Sequence, residues 1–404
     1  MLRARCILFC AFTAAAVAQS GPRVQISHTS ESLRGVSAVS REVAWASGTH
    51  GTYLRTIDGG RTWSPAQVPD AGALDFRAVV AFSADEAFLM SAGPGGQSRI
   101  YHTSDGGQHW QLQFTNTNPK GFFDSMAFWD SKHGVVLGDP IADDSGKLKF
   151  ELLVTDDGQN WRPIPPAQLP AAMEGEGAFA ASNTCIAILA AQPRLGDIGS
   201  TGDTEVLRVA RDDKTMGNGP STPEPSDSKI WFATGGKVAR VFHSPDRGKN
   251  WQVFDTPVIH GPDSAGIFSI AFRDATHGVI AGGDYKHPND DGPNLAFTED
   301  GGRTWTLSAL HPLAYFSAVA YDRRVNETAT RVRAANDKKT RVNPIPSERI
   351  FIVGQDFVFD FRPPNNPQRV SGNKKLTVTF NAASAYPEGG LLVVGPKGSV
   401  AFTP

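Results

Sequence analysis

Apolar positions in this chain fall in short runs, each about one strand long and closed by a glycine, and the runs recur. Seven are legible: VAWASG ending at Gly48, AFLMSAG at Gly93, GVVLG at Gly138, WFATG at Gly235, GVIAG at Gly282, FIVG at Gly354 and LLVVG at Gly395. The steps between these glycines are 45, 45, 97, 47, 72 and 41 residues, so a regular period is interrupted twice. Two polar stretches without apolar periodicity own the interruptions: residues 195–229, containing GNGPSTPEPSDS, and residues 322–348, containing RRVNETATRVRAANDKKT. A second apolar run precedes each of the first, as LRGVSAV, FRAVVAF, FFDSMAFWD, GAFAAS, IFSIAFRD, FSAVAYD and LTVTFNAAS. Repeats of about 40–45 residues with about four strands each, lettered A to D in chain order, predict a β-propeller. The last repeat ends at Phe402 after three strands, while residues 23–29, with alternating Val24 and Ile26, belong to no repeat. They are expected to complete the seventh blade and close the ring, removing two exposed sheet edges. The expected fold is therefore all-β, a single seven-bladed β-propeller.

A polar octet recurs between the third and fourth strands, Thr/Ser-x-Asp-x-Gly-x-x-Trp. It reads TIDGGRTW at Thr56–Trp63, TSDGGQHW at Thr103–Trp110, SPDRGKNW at Ser244–Trp251 and TEDGGRTW at Thr298–Trp305, with TDDGQNW at Thr155–Trp161 one residue short. These are hairpin turns by their chemistry. Asp58, Asp105, Asp157, Asp246 and Asp300 can accept from backbone N–H groups of their own turn, glycine supplies a positive φ, and Trp63, Trp110, Trp161, Trp251 and Trp305 fold back as apolar plugs between sheets. The task expected of all ten is structural.

Connections in a propeller alternate between its two faces. The octets, as C-to-D turns, share a face with both insertions, which fall between strands A and B of repeats four and six. The opposite face, where ligands sit, is built from the stretches after each repeated glycine. Two of these are long. Asp139 is followed by Asp143, Asp144 and Lys147, and Asp284 and Tyr285 are followed by His287, Asp290 and Asp291; Glu174 and Glu176 lie between them, with His260 and Asp263 nearby. Asp139, Glu176, Asp284, Tyr285 and His287 are the candidate ligand or partner residues, and no catalytic residue is assigned. No calcium-loop spacing, G-x-S-x-G, H-E-x-x-H, phosphate loop or C-x-x-C occurs, so neither a metal nor a cofactor is expected.

The first residues read as an address. Arg3 and Arg5 precede the apolar stretch Cys6–Val17, and Ala16-Val17-Ala18 forms a small-residue cleavage site. Residues 1–18 are read as a signal peptide and 19–404 as the propeller, which places the protein in the periplasm or outside the cell. Without the leader the chain carries 37 basic against 41 acidic side chains, a net charge of −4, and nothing favours nucleic acid as a partner. No later run approaches the ~20 apolar residues of a membrane span, and a monomer is expected. Cys185, the one cysteine left, has no partner for a disulfide and reads as a small buried hydrophobe.

The octet is the Asp-box, or bacterial neuraminidase repeat, and from the first to the fifth repeat the chain resembles the photosystem II stability/assembly-factor-like propellers of that superfamily. GEGAFAAS at Gly175, WFATGG at Trp231, GIFSIAFRDATHGVIAGGDY at Gly266 and VGPKGSVAF at Val394 carry the resemblance further. Repeat six departs from it, with Phe361-Arg362-Pro363-Pro364-Asn365-Asn366 in place of a box. The resemblance implies a scaffold that holds a partner polypeptide; from the residues alone, a protein or a glycan is the expected ligand. The alternative is a glycoside hydrolase of the sialidase or xyloglucanase type, which also carries Asp-boxes. Against it, Phe76-Arg77-Ala78-Val79 is the nearest approach to the sialidase arginine motif and lies within a strand, and the chain has length for one propeller only. Fold does not decide between the two.

Overall fold

A computed structural model describes residues 23–189, 228–308, 315–323, 349–354, 358–361 and 380–403. The expected signal peptide, most of both insertions and most of the Phe361–Asn366 stretch lie outside the described residues. What is described is an all-β propeller: antiparallel sheets joined by turns, with 3-10 turns at Gly95–Gln97 and Pro166–Gln168. No described helix is long and apolar enough to cross a membrane.

The sheets follow the sequence repeats. Repeat one forms Leu33–Ala38, Ala44–Gly48, Thr52–Thr56 and Ser64–Gln67, and repeat two forms Asp75–Ala81, Ala87–Ala92, Arg99–Thr103 and Gln111–Thr115. Pro65 and Pro163 fall on outermost strands, where a missing N–H costs no ladder bond. Six sheets carry four or more strands, so seven complete blades are not found among the described residues. The sheet of repeat six stops at three, Phe316–Tyr321, Ile350–Gly354 and Val358–Phe361, and the chain that follows it, 362–379, is outside them.

The repeated glycines have a steric origin. Strand A carries a β-bulge beside the glycine that ends strand B, between Leu33 and Gly35, Phe123 and Ser125, Ile267 and Ser269, and Phe316 and Ala318, and repeat two is bulged between Phe76 and Ala78. The crowded backbone leaves no room for a side chain opposite. A Cβ at Gly48 would stand 2.6 Å from the Ser32 carbonyl oxygen, and one at Gly138 2.6 Å from that of Phe122.

Each apolar core is shared by two sheets. Trp45, Phe76 and Leu89 join repeats one and two, Val135, Phe150 and Phe232 join three and four, and Leu33, Leu54, Leu392 and Val400 join the first and last. The box tryptophans enter these seams as expected: Trp63 that of repeats one and seven, Trp161 that of two and three, Trp305 that of four and five.

All five boxes have the turn geometry read from the sequence. In the first, the Thr56 hydroxyl donates to Asp58 Oδ1 at 2.9 Å and accepts from the Gly60 N–H at 2.9 Å, while Asp58 takes the Thr62 N–H at 2.9 Å. The Gly59 N–H then donates to the Glu42 carbonyl at 2.9 Å, fastening the box to its own A-to-B turn on the same face. Bonds from Thr62 hold the Asp58 carboxyl at about 2, and those from His109 do the same for Asp105.

Arg23–Gln25 pairs antiparallel with Ser399–Thr403, shorter than the expected 23–29. Val24 and Ile26 remain 63% and 74% exposed, so their alternation enters no core: an outermost strand has no sheet to pack on. Gln25 makes the contact instead. Its amide accepts from Trp63 Nε1 at 3.0 Å and donates to the Gly59 carbonyl at 3.2 Å. Gln113, on strand D of repeat two, does the same to the third box, accepting from Trp161 Nε1 at 2.9 Å and donating to Gly158 at 2.9 Å.

Either Gln25→Ala or Gln113→Ala removes the acceptor of a buried indole N–H and is expected to cost ~1–3 kcal/mol in urea unfolding. A loss at Gln113 with none at Gln25 would show that the two seams are not equivalent. Asp105→Ala is expected to lower the melting temperature at neutral pH. The carboxylate's contribution is present above about pH 4 and lost as pH falls through about 2, so the deficit should shrink across that window; one that persists at pH 2 would contradict this account of the box.

Candidate functional site

The five candidate residues do not share one surface. Glu176 is buried and fully engaged: it accepts from Arg240 Nε at 3.0 Å and Nη2, from the Thr234 hydroxyl at 2.7 Å and from the Met173 N–H at 2.8 Å. This is an internal ion pair closing the entry to repeat four. Asp284 ends strand B of repeat five, and its own turn holds it, through the Lys286 N–H at 2.9 Å and His287 Nδ1 at 2.9 Å. Burial pushes this carboxyl up, but the bonds from His287, Ser264 and Lys286 outweigh it and leave it at about 2. His287 is raised in return by that bond and by the Asp284 charge. Tyr285 is 45% exposed, its ring edge-on to Phe268 at 6.1 Å.

Asp139 points inward. Its Oδ1 accepts from the Ala178 N–H at 3.1 Å, and a Cβ at Gly177 would lie 2.9 Å from the same oxygen. Burial pushes its carboxyl up to about 6. Glu174, Asp144, Asp263, Asp290 and Asp291 are exposed, Asp143 caps its own turn through Ser145 and Lys147, and His260 bonds the Val258 carbonyl at 2.9 Å.

What sequence reasoning missed lies one layer deeper. The bulge puts one residue of strand A off the ladder, and these residues are Arg34, Arg77, Asp124, Phe268 and Ser317. Asp75 joins the first two, 2.9 Å from Arg77 Nε and 3.7 Å from Arg34 Nε. Asp124 is almost completely buried and its Oδ2 has no hydrogen-bond partner; burial, then the charges of Asp139 and Glu151, push it well above the usual carboxylate range against the pull of Arg77.

Repeat four is built differently, and the expected strand GAFAAS is corrected here. Glu176–Gly177 pairs with Gly235–Gly236 and extends the sheet of repeat five, while strand A proper is Ile186–Leu189, opposite Lys229–Ala233. Between these pieces, residues 178–185 leave the ladder. In repeat six only residues 317–319 separate the equivalent pairings, Phe316 with Gly354 and Ala320 with Phe351. The longer segment reaches four other repeats. The Ala180 carbonyl accepts from Arg77 Nη1 at 3.0 Å, the Ser182 hydroxyl donates to the Ser317 carbonyl at 2.7 Å, Asn183 Oδ1 accepts from the Met126 N–H at 2.7 Å, and the Thr184 carbonyl accepts from the Ile270 N–H at 2.8 Å. Since these partners lie on strands A of repeats two, six, three and five, the segment crosses the central channel. Asn183 sits at φ 61°, which asparagine tolerates better than most residues. Phe179 stacks on Phe268 at 3.9 Å, and Cys185 is fully buried as expected, its thiol pushed up by burial.

The model of the photosynthesis system II assembly factor YCF48 matches residues 14–112. The match spans about a quarter of the chain, and over those residues the chain is similar to that family. No curated protein sequence matches the chain. Among solved structures, YCF48 bound to D1 peptide aligns with a TM-score of 0.58 at 14% identity, over 96% of this chain and 98% of that one. The WD40 propeller domain of Doa1 aligns with a TM-score of 0.53 at 11% identity, over 95% and 97%. YCF48 from Cyanidioschyzon merolae covers 95% and 99% at 15% identity, with a TM-score of 0.37. At these identities the first two structures speak to the fold alone, which they share with this chain as a β-propeller.

Glu176→Ala would leave the Arg240 guanidinium buried without its carboxylate. Unfolding free energy is expected to fall by ~3–5 kcal/mol. A near-neutral substitution would return Glu176 to the list of candidate ligand residues.

Proposed function

We propose that this chain is an exported, monomeric scaffold that binds a partner polypeptide on the face where Tyr285 and His287 stand exposed, and that it has no catalytic activity. In this reading residues 1–18 are removed as a signal peptide, and 19–404 form a seven-bladed ring closed by the N-terminal strand. Support for the ring comes from the core shared by the first and last repeats and from the parallel roles of Gln25 and Gln113. The observation that carries the function is how the carboxylates are used. Glu176 is spent on Arg240, Asp284 on its own turn and Asp139 on the Ala178 N–H, so none of these three candidate carboxylates stands free to serve in the pair that glycoside hydrolysis needs. A relative of the same fold has been seen with the D1 peptide bound, which favours a polypeptide as the ligand class.

Mature protein would be offered an array of extended peptides and a glycan panel, with released reducing sugar measured on the latter. Saturable peptide binding is expected, weakened about tenfold or more by Tyr285→Ala, as for an aromatic anchor, and no sugar is released. Sugar release that disappears in Asp139→Asn would establish the hydrolase instead.

A further inference from the structure

Arg34 leaves the ladder at the bulge of repeat one, at the end of strand A that meets the face of the B-to-C connections, and among the described residues its guanidinium donates no hydrogen bond. Its one acidic neighbour is Asp75, 3.7 Å from Nε, which is too far for a hydrogen bond and leaves that buried nitrogen without a partner. Asp75 is engaged elsewhere. Its Oδ2 accepts from Arg77 Nε at 2.9 Å, while Oδ1, buried on the Arg34 side, accepts nothing. Arg77 in turn gives Nη1 to the Ala180 carbonyl of the crossing segment, which places the pair of arginines at the channel mouth. Other arginines with as much burial are provided for. Arg55, exposed to the same degree (29% of its side chain against 30%), donates to the Ala84 carbonyl at 2.7 Å and lies over Trp45. Arg240 and Arg349 each bond a carboxylate and lie over a phenylalanine ring. A guanidinium drawn partly out of water without acceptors costs free energy. Burial accordingly holds Arg34 below its ordinary value, Asp75 pulls it back and the Arg77 charge adds to the lowering.

We propose that Arg34, backed by Arg77, is a carboxylate-binding site in the channel mouth. The side toward repeat one is open to a ligand, since the crossing segment bonds to repeats two, three, five and six and, among the described residues, to none of repeat one. Two guanidinium charges meet one carboxylate there. Asp124, the next acid beyond Arg77, is held well above the carboxylate range and adds no charge, so one positive charge is in excess. A carboxylate fits on two counts: it offers two oxygens to the Arg34 donors in a bidentate arrangement, and its single charge matches the excess. A phosphate dianion would bring more charge than the pair can balance beside Asp75. The group recognised is the same whether a free small acid or a polypeptide carries it. This inference goes beyond the partner proposed for the outer face and does not depend on it.

Mature protein would be titrated with sodium acetate and with sodium chloride at equal ionic strength, following the Nε–H resonances of Arg34 and Arg77. Acetate is expected to shift both saturably, and chloride neither. A second arm uses one extended peptide in two forms, ending in a free carboxylate or in an amide. Saturation by the free-acid peptide at concentrations where acetate has no effect assigns the group to a polypeptide; saturation by acetate with no preference between the peptides assigns it to a small acid. In Arg34→Gln the affinity for the saturating probe, read at Arg77, is expected to fall about tenfold or more, as for loss of a hydrogen bond to a charged group. The melting temperature of that variant without ligand should stay at the wild-type value, because the guanidinium holds no other part of the chain. An Arg34 signal that answers none of the probes, or answers chloride as strongly as acetate, overturns the proposal. So does an Arg34→Gln variant that fails to fold or is destabilised as much as Glu176→Ala, which would make Arg34 a structural residue.

Discussion

Where the innermost strands converge on the axis, the backbone of their free edge must find hydrogen-bond partners outside its own ladder, and the rest of the molecule is arranged to provide them. A buried amide left without an acceptor costs ~1–3 kcal/mol, so a ring of open strand edges would offset much of a domain's net stability. Neighbouring sheets meet the need. The Ala38 N–H is taken by the Ser384 hydroxyl at 3.0 Å, that of Ala81 by Ser37 at 3.0 Å, and that of Val319 by Ser269 at 2.9 Å. Each bond crosses from one repeat to another, so satisfying the backbone also sets the spacing of the sheets. Repeat four does the same with a length of chain, through Asn183 and Thr184.

This constraint bears directly on function. A channel occupied by the protein's own backbone has no room for a threaded ligand, and Asp139 helps to hold that backbone through the Ala178 N–H. Chemistry is left to the outer face, where Tyr285 stands exposed over an aromatic floor of Phe268 and Tyr315. Such a surface suits recognition better than bond cleavage.

Local patterns were legible in the sequence because local chemistry makes them. The Asp-box repeats because each turn satisfies its own N–H groups, and the strand-ending glycine repeats because a bulge crowds it. The strands that flank the two expected insertions are described, Ile186–Leu189 and Lys229–Ala233 in repeat four and Phe316–Tyr321 and Ile350–Gly354 in repeat six, while most of both insertions lies outside the described residues. GAFAAS was misread because small apolar residues suit a strand and a channel-crossing segment equally; the distinction rests on partners 50 or more residues away, such as Met126 and Ser317. Glu176 and Arg240 are 64 residues apart, and no spacing rule pairs them. The bulge residues did leave a trace. Aligning the A strands puts Arg34, Arg77, Asp124, Phe268 and Ser317 in one column, a variable position within an otherwise apolar frame.

The occupied channel is tested most directly by a double-mutant cycle on Ser125 and Asn183, far apart in sequence and joined by a 3.1 Å hydrogen bond only if the segment crosses the axis. Unfolding free energies of Ser125→Ala, Asn183→Ala and the double variant would be measured in urea. A coupling of ~0.5–1.5 kcal/mol is predicted. Strict additivity, with each single variant close to wild type, would contradict the account and return residues 178–185 to the surface.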